Sequence, residues 1–149
     1  MTPYEAYCYA QKHGPSEKTR KIISQSPGYA YYYACDIDKE PKKETRKTAC
    51  RDPYYAFRYA IDIDKCPREN TRKAVCKHPY WAYRYARIMD RCPREDTRKA
   101  ACQDPKCAYL YARDIDKSFR EDTYAAVQNT EHKEKYKTLV NSLVKEEII

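Results

Sequence analysis

The chain has 149 residues, of which 35% are charged, and a formal net charge of +8. Its length fits one domain, and no apolar run approaches the roughly 18 residues that a transmembrane helix needs. The opening segment MTPYEAYCYA lacks the basic and apolar regions of a signal peptide. We therefore expect a cytoplasmic protein with no membrane partner.

A 26-residue segment repeats four times between residues 26 and 129, with no insertion or deletion. The period is marked by Pro27, Pro53, Pro79 and Pro105. A fixed period of this length is typical of repeat architectures, in which a unit too small to bury its own apolar face stacks against its neighbours. We therefore predict an all-α fold: an α-solenoid of about five two-helix repeats, forming a single domain over residues 1–149.

Residues 1–25 read as a degenerate first repeat. Thr2 and Pro3 match the cap and proline of the later units, and Ala6 and Ala10 match their alanine pair. The turn that follows is two residues shorter than in the other units. A terminal repeat is expected to be atypical because one of its sides has no neighbour.

The full repeats, residues 26–51, 52–77, 78–103 and 104–129, each predict two short helices. An N-cap residue comes before the first proline, which suits a first turn because it has no N–H to leave unpaired. These N-cap residues are Ser26, Asp52, His78 and Asp104. A second proline predicts the start of the second helix, at Pro41, Pro67 and Pro93, with Phe119 in its place in the last repeat. Alanines four residues apart in the first helix would let a neighbouring helix approach closely.

Residues 130–149 predict an amphipathic helix that caps the last repeat. Thr130 is a suitable N-cap, and the helix should run to about Glu147. The apolar side chains Tyr136, Leu139, Val140, Leu143 and Val144 follow the spacing of one helical face. The same stripe could instead pair with another chain, so the sequence leaves the oligomeric state open.

The eight cysteines suggest buried thiols rather than disulfides or a metal site. Equivalent positions in stacked helices lie at least ~8–10 Å apart, whereas a disulfide needs Cα atoms within about 7 Å. No CxxC motif or histidine-rich cluster is present, so no metal ion is predicted. Cys102 and Cys107, which flank a turn, are the one pair that could be bonded.

Charged residues recur at fixed positions. The second helices carry Arg20, Arg46, Arg72 and Arg98, and the first helices end with Asp38, Asp64, Asp90 and Asp116. We expect each aspartate to meet an arginine of the following helix, so that charge ladders join the repeats.

The outer face of the first helices is the candidate binding surface. Its residues are Tyr54 and Arg58 in one repeat, Tyr80, Arg84, Arg87 and Arg91 in the next, and Arg113 in the last. Such a face could follow phosphates with its arginines while its tyrosines stack on bases. The alternative is a solvated face on which arginines lie over tyrosine rings.

No catalytic site or cofactor is predicted. The three histidines, His13, His78 and His132, are scattered, and there is no nucleophile motif or glycine-rich phosphate loop. The recurring aspartates suit a ladder better than an acid–base pair, because a catalytic site needs one unique arrangement.

The repeat resembles that of uncharacterised short tandem-repeat proteins encoded in bacteriophage and bacterial genomes. The resemblance is clearest over residues 85–102 and 59–76 and covers roughly residues 2–129. It implies a helical-hairpin solenoid of phage or bacterial origin, and a phage-encoded protein would act in the host cytoplasm. By analogy with other α-solenoids, we expect a right-handed superhelix.

These observations favour a non-enzymatic scaffold that binds another protein, with a host protein as the target if the chain is phage-encoded. The alternative is binding of nucleic acid or a nucleotide through the tyrosines and arginines of the outer face.

Overall fold

The computed structural model describes residues 1–146, and its regular structure there is entirely helical. The helices are α1 (Pro3–His13), α2 (Glu17–Ile23), α3 (Pro27–Tyr33), α4 (Lys43–Ala49), α5 (Pro53–Tyr59), α6 (Glu69–Val75), α7 (Pro79–Tyr85), α8 (Glu95–Ala101), α9 (Pro105–Tyr111), α10 (Glu121–Val127) and α11 (His132–Glu146). The predicted all-α class, the helix pair that recurs once in each repeat and the long C-terminal helix are confirmed.

The chain forms two compact units, Met1–Val75 and Cys76–Ile149. In the first unit α1 packs on α2, α3 on α4 and α5 on α6, while α2 contacts α3 and α4 contacts α5. In the second unit α7 packs on α8 and α9 on α10, while α8 contacts α9 and α11 contacts both α9 and α10. Each unit is therefore a stack of helix pairs. The single domain and the right-handed superhelix stay predictions.

The first helices begin as the sequence predicts, with proline in the first turn. The Asp52 carboxylate accepts hydrogen bonds from the N–H groups of Tyr54 and Tyr55, at 2.9 and 3.2 Å. Asp104 accepts one from Cys107 at 2.8 Å. His78 occupies the same position but makes no side-chain cap hydrogen bond, so only its backbone conformation matches the prediction.

The second helices begin two residues later than predicted. The structure starts α4 at Lys43 and α8 at Glu95, whereas the prolines predicted starts at Pro41 and Pro93. The N-cap of α8 is therefore Arg94, which makes no side-chain cap hydrogen bond. Its backbone N–H is bound by a tyrosine from the next repeat, as described below, and this contact fixes where the helix begins.

The first helices end in a wide turn that the sequence did not predict. The segments Ala34–Asp38, Ala60–Asp64, Ala86–Asp90 and Ala112–Asp116 are π-helical. Each ends at a residue whose N–H donates to the carbonyl five positions earlier, and whose φ lies between +49° and +55°. These residues are Lys39, Lys65, Arg91 and Lys117. Glycine is the usual residue at such a left-handed cap, and this chain uses long basic residues instead.

Replacing a cap residue by glycine should stabilise the fold. A residue with a Cβ pays roughly 1–2 kcal/mol for the left-handed conformation, and glycine does not, although glycine also makes the unfolded chain more flexible. We expect Lys65→Gly to raise the free energy of unfolding by about 0.5–1 kcal/mol, measured by urea denaturation. The matched control is Lys47→Gly within α4, which should instead lose about 1 kcal/mol. Equal effects of the two changes would contradict the assignment of a strained cap.

Within each unit, a buried tyrosine of a first helix joins that helix to the preceding repeat. In the first unit these are Tyr33 and Tyr59, both 0% exposed. The Tyr59 hydroxyl accepts a hydrogen bond from the backbone N–H of Lys42 at 3.0 Å and lies 2.9 Å from the Thr45 hydroxyl. Lys42 is the N-cap of α4, so the tyrosine satisfies a backbone donor at the start of a helix in another repeat.

The second unit repeats this contact and extends it to the C-terminal helix. The Tyr111 hydroxyl accepts from the N–H of Arg94 at 3.0 Å and lies 2.8 Å from the Thr97 hydroxyl. Tyr136 of α11 makes the same two contacts, with Arg120 at 3.1 Å and with Thr123 at 2.8 Å. The C-terminal helix therefore covers the last repeat by taking the place of a further first helix.

The bounds of α11 differ slightly from the prediction. The helix begins at His132, and the Thr130 hydroxyl accepts a hydrogen bond from the His132 N–H at 3.2 Å. Thr130 thus stabilises the start of the helix but lies two residues before it. The predicted end near Glu147 lies outside the described residues.

Charge ladders join the repeats within each unit, but the arginine that links the repeats comes from the preceding helix and not from the following one as predicted; Asp64 additionally contacts Arg68, just before α6, at 3.2 Å. Asp64 pairs with Arg46, which comes from the helix before it, and the Asp64 side chain is 0% exposed. Asp38 pairs with Arg20 at 2.5 Å, and Asp116 pairs with Arg98 at 2.6 Å, in the same direction. The buried tyrosine brings the preceding helix against the end of its own helix, so the nearest arginine lies upstream in the chain.

Removing the buried hydroxyl should destabilise the stack. We expect Tyr59→Phe to lower the free energy of unfolding by about 1–3 kcal/mol, because the N–H of Lys42 and the hydroxyl of Thr45 lose a buried partner. The measurement is urea denaturation followed by circular dichroism.

The matched control for that variant is Tyr32→Phe, since Tyr32 is 44% exposed. This change should stay within about 0.5 kcal/mol of the parent protein. Thr45→Val combined with Tyr59→Phe should cost less than the sum of the two single changes, because the residues share one hydrogen bond. Additive costs would show that the contact does not couple the repeats.

Candidate functional site

The outer side of the first unit carries a continuous group of seven tyrosines. Its members come from α1, α3 and α5 and are Tyr4, Tyr7, Tyr29, Tyr31, Tyr32, Tyr54 and Tyr55. We call this group the tyrosine surface. Neighbouring ring centroids lie 5.0–6.5 Å apart in tilted or edge-to-face arrangements, which are the favourable geometries for aromatic pairs. The most exposed members are Tyr4, Tyr32 and Tyr54, at 58%, 44% and 38%.

Gly28 allows one of these rings to lie against the backbone. A Cβ atom at this position would come within 2.9 Å of the ring carbon and hydroxyl at the tip of Tyr55. The equivalent position in the next two repeats is Tyr54 and Tyr80. The first full repeat therefore has no side chain there, and Tyr55 fills the space.

Two aspartates hold the tyrosine surface in place. Tyr7 donates to Asp36 at 2.5 Å, and Tyr31 donates to Asp62 at 2.7 Å. The bond to Asp36, with partial burial, raises the pKa of Tyr7 to about 12. Burial first, and then the bond to Asp62, raises the pKa of Tyr31 as well. Both hydroxyls therefore remain protonated donors at neutral pH.

Arg58, a predicted phosphate-binding residue, is already paired with a carboxylate. Its Nε donates to Asp62 at 2.8 Å, and its Nη2 donates to the Tyr31 hydroxyl at 3.0 Å. The bond to Asp62 is the main reason why the pKa of Arg58 is raised. The local charge of this cluster is therefore zero, which leaves little attraction for a phosphate chain.

The second unit has a related cluster with a different charge. Tyr83 donates to Asp114 at 2.5 Å, and Arg87 donates to the Tyr83 hydroxyl at 3.0 Å. Arg113 donates to both carboxylate oxygens of Asp114, at 2.6 and 2.9 Å. The Arg113 contact holds the pKa of Asp114 below its usual value, so the carboxylate is ionised. Two arginines thus surround one aspartate.

The remaining predicted residues of this unit are arranged differently. Arg84 donates to the Tyr80 hydroxyl at 3.2 Å, and its guanidinium lies 5.8 Å from the centre of the Tyr80 ring. Tyr80 also makes an edge contact with Trp81 and is 39% exposed. Arg91 is the left-handed cap of its π-helical segment, where its Nε donates to the carbonyl of Ile88 at 3.3 Å. In these contacts the arginines meet a hydroxyl, an aromatic ring and a backbone carbonyl, whereas the arginines around Asp114 pair with a carboxylate.

The seven predicted residues therefore fall into separate groups. Tyr54 and Arg58 belong to the first unit, whereas Tyr80, Arg84, Arg87, Arg91 and Arg113 belong to the second. Sequence reasoning missed the tyrosines and aspartates that anchor them, Tyr31, Asp62, Tyr83 and Asp114. A signal was present, because each tyrosine precedes its aspartate by 31 residues. Phe57 and Ile88 occupy the equivalent positions one repeat after Tyr31 and Asp62. The tyrosine hydroxyl and the aspartate carboxylate are therefore both absent at this pair of positions.

The fold defines a helical repeat protein built from pairs of helices with a 26-residue period. Comparison with protein-family models, with curated proteins and with solved structures gives no match. Within residues 1–146 no three His, Cys, Asp or Glu side chains gather as they would around a metal ion. No helix in the same range has the length and apolar character needed to cross a membrane.

Cys102 and Cys107, the one cysteine pair that the sequence left open, are both thiols in the structure. Burial, followed by the nearby Asp122, raises the pKa of Cys102 to about 12. Burial, followed by a hydrogen bond to Asp104, raises the pKa of Cys107 to about 12. Since the thiolate is the reactive form, both should be inert in the folded protein.

Alkylation should distinguish these thiols from an exposed one. At pH 8 a thiol with a pKa near 12 is ionised in roughly one molecule in ten thousand, so iodoacetamide should leave Cys107 unmodified until the protein unfolds. Cys92 is exposed and should react first. Peptide mapping by mass spectrometry, with and without urea, measures both. Rapid modification of Cys107 without urea would contradict its buried position.

Proposed function

We propose that the protein is a non-enzymatic repeat scaffold that binds another protein through the tyrosine surface. The observation that carries this proposal is the continuous set of seven packed tyrosine rings, three of which are well exposed. Tyrosine is enriched in protein interfaces, where it provides a large contact area and a polar hydroxyl.

The packing of the rings supports a binding role in energetic terms. A side chain that is ordered only on binding costs roughly 0.5–1.5 kcal/mol of conformational entropy. The rings of the tyrosine surface already contact one another, and Tyr7 and Tyr31 are held by aspartates. Most of this ordering is therefore complete before a partner arrives, which favours a firm and specific contact.

The resemblance to phage and bacterial repeat proteins supplies the biological side of the proposal. A phage-encoded scaffold would act in the host cytoplasm, and its partner would be a host protein. The phage origin is supported by the resemblance alone. The tyrosine surface is instead defined by the ring contacts and hydrogen bonds of the first unit.

Nucleic-acid binding ranks second because two arginines of the predicted basic face, Arg58 and Arg84, are already engaged by neighbouring side chains. Arg58 is neutralised by Asp62, and the Arg84 guanidinium lies over the Tyr80 ring where a base would have to stack. Binding to nucleic acid draws most of its affinity from several neutralised phosphates.

The proposal is tested by affinity capture from host lysate with the parent protein and two variants. Tyr32→Ala/Tyr54→Ala removes two exposed rings of the tyrosine surface. Tyr9→Ala is the matched control, because Tyr9 is 47% exposed and contacts only His13 among the ring pairs of the described residues. We expect a stoichiometric protein partner with the parent protein and with Tyr9→Ala, but not with the double variant.

Nuclease and salt separate the two functions. Capture of a protein through the tyrosine surface should survive nuclease and about 300 mM salt, because apolar contacts are weakly screened. Nucleic acid that is lost after nuclease treatment or at high salt would overturn the proposal in favour of the second candidate. Equal capture by all three proteins would show that the tyrosine surface is not the binding site.

A further inference from the structure

The Asp114 cluster of the second unit has an excess of positive charge that its counterpart in the first unit lacks. Around Asp114 lie Arg87 and Arg113, with the Arg87 Nη1 3.8 Å and the Arg113 Nε 2.6 Å from the carboxylate. Around Asp62 lies one arginine, Arg58, at 2.8 Å. The Asp114 cluster therefore carries a charge of +1, and the Asp62 cluster carries zero.

The repeat itself explains this difference. The positions of Arg87 and Arg113 are one repeat apart, and one repeat before Arg87 the chain has Ile61. One repeat further upstream the position is Cys35. The basic residue at this position is therefore found in the last two repeats and absent from the two before them. An arginine pair around one carboxylate is a local property, not a general feature of the basic chain.

The two guanidiniums have unused donors and are open to solvent. The side chains of Arg87 and Arg113 are 55% and 43% exposed, whereas Asp114 beneath them is 16% exposed. Arg113 uses Nε and Nη2 on Asp114, and Arg87 uses Nη1 on Tyr83. Each guanidinium has five N–H groups, so each can still donate to a second oxyanion.

We propose that the Arg87–Arg113 pair binds a carboxylate of an acidic segment in the partner protein. This inference rests on the proposed protein-binding function and names the chemistry of the partner. A carboxylate placed over the pair would neutralise the remaining charge through charge-assisted hydrogen bonds, and bidentate contacts of arginine with carboxylates are strong and directional.

A protein partner fits this cluster better than a nucleic acid. The positive excess is confined to one cluster with a charge of +1, and it is not repeated along the first unit. A nucleic-acid chain would need a row of such sites, because its affinity comes from many phosphates at once. One acidic side chain, or a short acidic segment, needs only one positively charged cluster.

The test uses a fluorescein-labelled deca-glutamate peptide and fluorescence anisotropy at about 50 mM salt. We expect the parent protein to bind the peptide and Arg87→Gln/Arg113→Gln to bind it at least about tenfold more weakly. The matched control is Lys21→Gln/Lys47→Gln, which removes the same number of charges at exposed positions of α2 and α4. Its affinity should stay within about twofold of the parent value.

A third variant is expected to bind the peptide more tightly than the parent protein does. Asp114→Asn removes the central carboxylate and raises the charge of the cluster from +1 to +2, so the peptide should bind several-fold more tightly. Thermal unfolding of each variant checks that the fold is intact. A gain in affinity in a variant whose thermal unfolding matches that of the parent protein cannot arise from loss of structure, so this variant keeps the test decisive even if the double arginine variant is unstable.

The remaining outcomes overturn the inference. Equal weakening by the Lys21/Lys47 control would show attraction to net charge alone. Failure of the parent protein to bind the peptide would show that the Arg87–Arg113 pair is not a carboxylate-binding site. A labelled deca-thymidine that responds to the arginine variants while the peptide does not would indicate a nucleic-acid site. The tyrosine surface is tested separately by affinity capture, so a failed peptide test leaves the proposed function standing.

Discussion

The helices α4, α8 and α10 begin with a backbone donor next to an N-cap residue whose side chain makes no cap hydrogen bond, and a tyrosine hydroxyl from the next helix along the stack binds that donor. Tyr59, Tyr111 and Tyr136 all make this contact, and each also reaches a threonine hydroxyl. A buried N–H without a partner costs about 1–3 kcal/mol, so neither helix pair is complete alone. This dependence explains why so short a repeat is built into a stack.

The charge ladder strengthens the same contact. Arg46 lies 5.6 Å from the centre of the Tyr59 ring while it pairs with Asp64, so one guanidinium links two repeats and covers the tyrosine. Arg98, Tyr111 and Asp116 reproduce the arrangement in the second unit. A buried ion pair contributes little by itself against a well-packed apolar pair, but the loss of one partner is costly. The ladder therefore penalises any shift in register between neighbouring helix pairs.

The same chemistry of tyrosine, arginine and aspartate produces two different outer surfaces. In the first unit, one arginine balances Asp62, and packed tyrosines dominate the surface. In the second unit, two arginines surround Asp114, and the charge is left positive. Substitution at a few outward positions thus changes the character of each surface, while the buried tyrosine–threonine pair that joins the repeats is retained. This separation supports the proposal that the tyrosine surface and the Arg87–Arg113 pair are binding sites of different chemistry.

The helix pairs, their 26-residue period, the N-caps at Asp52 and Asp104 and the amphipathic C-terminal helix could all be predicted from the sequence. These features follow from local chemistry, because proline, N-cap side chains and helical spacing act within a few residues. The packing of the helices was needed to establish that Asp64 pairs with the arginine before it and that Lys65 adopts a left-handed conformation. It was also needed to bring Tyr31 to the local Arg58–Asp62 pair and Arg87 to the carboxylate that the adjacent Arg113 binds. These outcomes depend on which helices meet and at what distance, and residues 18 or 31 positions apart are brought together only by the packing of the stack.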